Sequence, residues 1–123
     1  MFKVSSDIAK NRLLIVLSGS MDLEETEEVL MLIQMEIARL HPPFDVITDI
    51  RHLRQEKQPL SHHIVEGMDL LFQNGAGRLV RVVGASREGL LVFAAQSRKR
   101  PDYACCYVST IENAENALEA RDQ

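Results

Sequence analysis

Ser61 stands near the start of an expected helix, two residues after Pro59 and downstream of Arg51 and Arg54. A hydroxyl at such a start satisfies an orphan backbone N–H. Esterified with phosphate, the same position would lie on the positive end of the helix dipole, where Arg51 and Arg54 could pair with it. A second anion candidate is Gly84-Ala85-Ser86, between an expected strand and an expected helix, with Arg87 beside it. Backbone amides at a helix start attract phosphate or carboxylate. The turn lacks the glycine count and the lysine of a nucleotide loop, and a plain turn with a serine cap uses the same residues. Asp49, at the carboxyl end of a strand, sits where open α/β sheets bind ligands. It equally suits an ion pair with Arg51 or a cap in the following loop.

His52, His62, His63 and Glu66 are of metal-ligand type. His62 and Glu66, four apart, would share a helical face. His62 and His63 diverge by about 100° on a helix, and an ion draws three or four converging ligands, so no metal site is assigned. Cys105 and Cys106 are adjacent and would point to opposite faces of a strand. They read as two buried thiols rather than a disulfide or a redox pair. No serine occupies a nucleophile elbow and no base accompanies the cysteines. The chain is therefore read as a non-enzyme, with no catalytic residue and no cofactor.

These residues need elements to position them. The chain has 123 residues, enough for one domain spanning 1–123, and 46% hydrophobic with 26% charged residues matches a folded soluble protein. Phe2–Ser5 alternates as a strand, Lys10-Asn11 turns, and Arg12–Ser18 forms a second strand that Gly19-Ser20 breaks. Asp22 caps a helix, with Glu25 as the capping-box partner. Leu23, Leu30, Ile33, Ile37 and Leu40 make its apolar stripe, and His41-Pro42-Pro43 stops it. Phe44–Asp49 is a third strand, followed by a polar loop from Arg51 to Gln58. A helix from Pro59 to about Gln73 turns Ile64, Met68, Leu71 and Phe72 inward, and Asn74-Gly75 ends it. Arg78–Val83 is a fourth strand. The next helix carries Leu90, Phe93 and Ala94 inward. Tyr103–Val108 is the fifth strand, and Ser109 with Glu112 opens a last helix through Leu118. The order β-β-α-β-α-β-α-β-α predicts an α/β fold with a mostly parallel sheet, covered on both faces, and one antiparallel edge strand.

Charge and hydropathy exclude several classes. Fourteen Lys and Arg against 18 Asp and Glu give −4, the wrong balance for a nucleic-acid binder. No apolar run reaches the 18–20 or so residues of a transmembrane segment. The opening Met1–Asp7 lacks an apolar signal core, so the chain is read as cytoplasmic. Charge is segregated: Asp22–Glu36 holds six acids and no base, and Arg78–Arg100 holds six bases against Glu88. That pattern fits two solvated surfaces or a dipolar molecule steering a charged partner. On the first helix, Met31, Leu32 and Met35 fall opposite the core stripe. If exposed, such a patch marks a homodimer or protein-partner interface.

The element order resembles the STAS domain, the fold of the anti-sigma-factor antagonists and of sulfate-transporter cytoplasmic tails. The likeness is sharpest in Asn11–Gly19, in Phe44–Asp49 with Ile50-Arg51, and in Asn74–Gly84, and points to a bacterial STAS-like branch. The resemblance implies a non-enzymatic regulatory module that binds other proteins. In the antagonist branch a serine in an Asp-Ser-Ser-Gly motif after the third strand is phosphorylated, which breaks the partner complex. This chain lacks that motif, and Ser61 is the only hydroxyl near the equivalent helix start. The runner-up is a small-ligand or anion sensor at the strand C-terminal ends, using Asp49, Arg51 and Ser86.

Overall fold

The structure, a computed structural model, describes residues 1–54 and 59–120, with side chains at all of these but 59–62 and 120. Among the described residues nine elements follow in the order read from the sequence: β1 (Phe2–Asp7), β2 (Arg12–Ser20), α1 (Leu23–Ile37), β3 (Phe44–Arg54), α2 (Pro59–Gln73), β4 (Ala76–Val82), α3 (Arg87–Ser97), β5 (Cys105–Val108) and α4 (Ile111–Ala120). The five strands form one sheet in the order β1-β2-β3-β4-β5. β1 pairs antiparallel with β2 at one edge, and the other three pairings are parallel.

Asn11 closes the hairpin at φ 53°, a conformation that asparagine tolerates better than most residues. Its side chain also donates to the carbonyls of His41 (2.6 Å) and Pro43 (3.1 Å) and accepts from the His41 N–H (2.8 Å). One amide thus fastens the β1–β2 turn to the α1–β3 connection.

Strand period two divides the core. Leu13, Ile15, Leu17, Val46 and Leu79 face one way and pack under Val29 and Ile33 of α1, Ile64, Met68 and Leu71 of α2, and Phe93 of α3. Ile47, Val80 and Val82 face the other way, under Ala114 and Leu118 of α4. Each fully buried aliphatic side chain contributes about 1.5–3 kcal/mol, so the three-helix face holds most of the hydrophobic stabilisation.

Several expectations are corrected. β2 does not break at Gly19-Ser20: after an irregularity between Val16 and Ser18 it continues, pairing Ser18, Gly19 and Ser20 with His52, Leu53 and Arg54. Those partners extend β3, so residues 51–54 are strand rather than loop. On α1 the buried positions are Thr26, Val29 and Ile33, and Leu23 is exposed. Thr26 tolerates burial because its hydroxyl donates to the Asp22 carbonyl at 2.7 Å. On α3, Gly89 takes the inward place expected of Leu90, which is exposed. A Cβ at Gly89 would stand 3.0 Å from the Ile50 carbonyl oxygen, so α3 lies on β3 at a distance only glycine permits. Asp22 does cap α1, accepting from Glu25 N–H at 2.8 Å. α4 is capped by Thr110, whose hydroxyl accepts from Asn113 N–H at 3.0 Å, and not by Ser109. Cys106 is exposed on the α4 side of β5, a short edge strand that α4 leaves partly open, and Cys105 is half-buried on the three-helix side.

Candidate anion cleft and docking surface

The carboxyl ends of β3 and β4 and the start of α3 enclose an open cleft of about 680 Å³, with Arg51, His52, Arg54, Ser86 and Arg87 in its walls. Gly84 has φ 56°, and a Cβ there would stand 3.1 Å from Arg51 Cγ. The β4–α3 turn thus needs glycine both for its backbone and for the arginine stem laid across it. Ser86 caps α3, accepting from Gly89 N–H at 3.2 Å.

Asp49 is buried at 6% exposure and tied to Arg51. Its Oδ1 accepts from Arg51 N (3.1 Å) and Nε (3.0 Å), and its Oδ2 from Nη2 (2.9 Å). Burial pushes the Asp49 carboxyl up, but the hydrogen bonds from Arg51 outweigh it and hold the group below its ordinary value. Asp49 also raises the Arg51 guanidinium. The ion-pair alternative for Asp49 is the one the structure holds. Arg51 therefore has one guanidinium edge committed before any anion arrives.

Of the anion candidates, Arg51, Asp49, Arg54 and Ser86 gather at one end of the sheet. Ser61 lies in the first turn of α2, its side chain outside the described residues, as is that of His62. Among the described side chains, His63 meets Glu66, Nδ1 to Oε2 at 3.2 Å. Among the described residues no three His, Cys, Asp or Glu side chains are placed to share an ion. Burial raises the Cys105 thiol above its ordinary value.

The outer face of α1 carries Met31 at 60% and Met35 at 61% exposure, with Leu23 also exposed. Leu32 is half-buried, turned partly toward the neighbouring structure. Glu24, Glu27 and Glu28 stand exposed around the patch. The basic run is less available than its sequence suggests. Arg78 forks onto Asp45 (3.0 and 2.7 Å). Arg100 forks onto Asp69 (2.8 and 2.9 Å), and together with the Tyr103 hydroxyl it holds that carboxyl below its ordinary value. Arg81 is buried. Arg87, Arg98 and Lys99 remain exposed.

Sequence reasoning missed a polar row on the three-helix face, in which register sets Thr48 beside Arg81 and Arg81 beside Tyr107. The signal was one arginine at a helix-facing position of an otherwise apolar strand. It also missed Asp45–Arg78, whose partners occupy one register position of adjacent strands.

No helix among the described residues is long and apolar enough to cross a membrane. No family model matches the chain, and no curated protein matches it. Solved structures do. The anti-sigma factor antagonist SpoIIAA in its unphosphorylated form superposes with a TM-score of 0.71 at 19% identity, over 98% of this chain and 97% of that one. The Bacillus cell fate determinant SpoIIAA in its phosphorylated form gives 0.66 at 13% identity, over 96% and 99%. At such identities the shared property is the architecture, end to end: the chain has the STAS fold of SpoIIAA.

Proposed function

We propose that this chain is a non-enzymatic, cytoplasmic regulatory module that works by binding a protein partner. The observation that carries the reading is the likeness to an anti-sigma factor antagonist over nearly the whole of both chains. The proposed docking surface is the outer face of α1 together with the β3–α2 end of the sheet. Met31 and Met35 supply adaptable apolar contact there, ringed by carboxylates that favour a partner with basic residues. Ser61 is the proposed modification site, with Arg54 as its counter-ion, since Arg51 is engaged by Asp49.

Native mass spectrometry on tagged protein captured from its own host tests this. A stoichiometric protein partner is expected, with loss of it from the Met31→Glu/Met35→Glu double variant. Retention of the partner by that variant would remove α1 from the docking surface. Intact mass reports phosphate on Ser61, and Ser61→Ala should abolish it. The second reading is a small-anion sensor, favoured by the open cleft beside Arg54, Arg87 and the start of α3. A tightly bound small anion lost on Arg87→Ala, with no protein partner, would select it.

A further inference from the structure

Two uncovered helix faces of this molecule carry opposite charge. On α1, Glu24, Glu27, Glu28, Met31 and Met35 recur at helical spacing, and all are exposed. None of these three carboxylates has a cation among the described residues. On α3, Leu91 stands 62% exposed. Ala95, one turn on, and Arg98 and Lys99 at the end of the helix are exposed with it. Neither cation has a carboxylate among the described residues. The two faces cannot meet within one molecule, because α2 packs against both helices and stands between them.

The spacing matches as well as the charge. Seven residues separate Glu28 from Met35, and seven separate Leu91 from Arg98. Each interval is about 10.5 Å along a helix axis. Laid antiparallel with Glu28 opposite Arg98, the helices set Met35 against Leu91 and Met31 against Ala95, a long side chain against a short one. Lys99 then falls by Glu27. Glu88, the one carboxylate of α3, falls at the Arg39 end of α1. Laid parallel, the same faces would bring Glu88 to the acidic end of α1 and Arg98 toward Arg39. Exposed apolar side chains rimmed by charge mark an interface, and complementary rims fix its register.

We propose that α1 of one molecule docks antiparallel on α3 of a second copy, burying Met31, Met35 and Leu91 between rims of opposite charge. The two faces differ, so each docked pair keeps one free α1 and one free α3. The contact therefore repeats head to tail and does not close on a two-fold axis. One helix on one helix buries less than the roughly 1,000 Å² of a stable interface, so the assembly builds with concentration and comes apart on dilution. The second copy and the proposed protein partner would compete for α1, but the self-contact does not rest on that partner.

Sedimentation velocity on the purified full-length chain tests this. The sedimentation coefficient should rise between about 10 μM and about 1 mM protein, and fall again in about 0.5 M sodium chloride, which screens the rims. Met31→Glu/Met35→Glu closes α1 alone, and Leu91→Glu/Arg98→Glu closes α3 alone. All four side chains face water, so both variants should keep the parent Tm. Each should be monomeric by itself. An equimolar mixture should give a one-to-one dimer that grows no further, since one variant keeps α3 and the other keeps α1. A parent chain that stays monomeric throughout, a variant that associates by itself, or a mixture that does not pair would each overturn the proposal. The α3 variant leaves α1 intact and should still capture a host partner that docks there, so failure of the self-contact and failure of the partner reading are told apart.

Discussion

The two faces of the sheet solve the same problem with different means. One lies under three helices, deep enough to exclude water from Arg81, whose partners are hydroxyls, a carbonyl and two rings. The other lies under α4 alone. On it, by strand period two, Asp45 and Asp49 share the side of Ile47, and each meets an arginine. Thin cover leaves room for ion pairs at the margin of the small core. Thick cover leaves Arg81 with neutral neighbours, while on the thin side Arg12, at the register position of Asp45, is also buried, with Nε and Nη1 unmatched.

The strongest way to break this comparison is to empty both cores. Phe93→Ala removes a buried ring from the three-helix face and its contact with Arg81. It should cost about 3–5 kcal/mol, read by urea unfolding. Leu118→Ala, on the α4 face, should cost about 2–3 kcal/mol, because a small cluster at the margin collapses more readily. Equal losses would show that the faces are energetically alike.

The ion pairs sharpen the contrast through pH. The Asp49 carboxyl is held below its ordinary value in the fold. Its contribution is therefore present above the unfolded value of about 3.9 and is lost as pH falls through the lower folded value. Asp49→Asn should cost about 1–3 kcal/mol at neutral pH. It should also flatten part of the acid limb in a series of Tm measurements, the remainder belonging to Asp69, which is depressed by its hydrogen bond from Arg100. An unchanged acid limb would mean that the Asp49–Arg51 bonds do not persist in solution. The smallest effect on folding is expected at α1. Met31→Glu/Met35→Glu should stay within about 0.5 kcal/mol of the parent, since both side chains already face water.

Legibility in the sequence followed how local the cause was. Asp22 declared the α1 cap because a cap is settled within three residues. β2 and β4 were visible as apolar runs, and the order of elements led to the correct fold class. What the sequence hid depended on contacts between distant residues. Gly89 displaces Leu90 from the core only because α3 rides against the Ile50 carbonyl. Residues 51–54 become strand only because Ser18–Ser20 offer them partners. Asn11 marked a turn, yet nothing local showed that its amide would reach His41 and Pro43. At the candidate site, Asp49 with Arg51 was readable as an i, i+2 pair across the strand end. The partners of Arg81 were not, since Ser97, Phe93 and Tyr107 come to it from elements distant in sequence.

The sheet order repeats the sequence order, strand by strand. On the ribosome, each strand that emerges would find its pairing edge already made, so the sheet grows in one direction at the pace of translation, about 5–20 residues per second. α4 comes after all five strands. Ile47, Val80 and Val82, which it covers, are thus the last apolar side chains to be sheltered. That face is where a chaperone would meet the nascent chain.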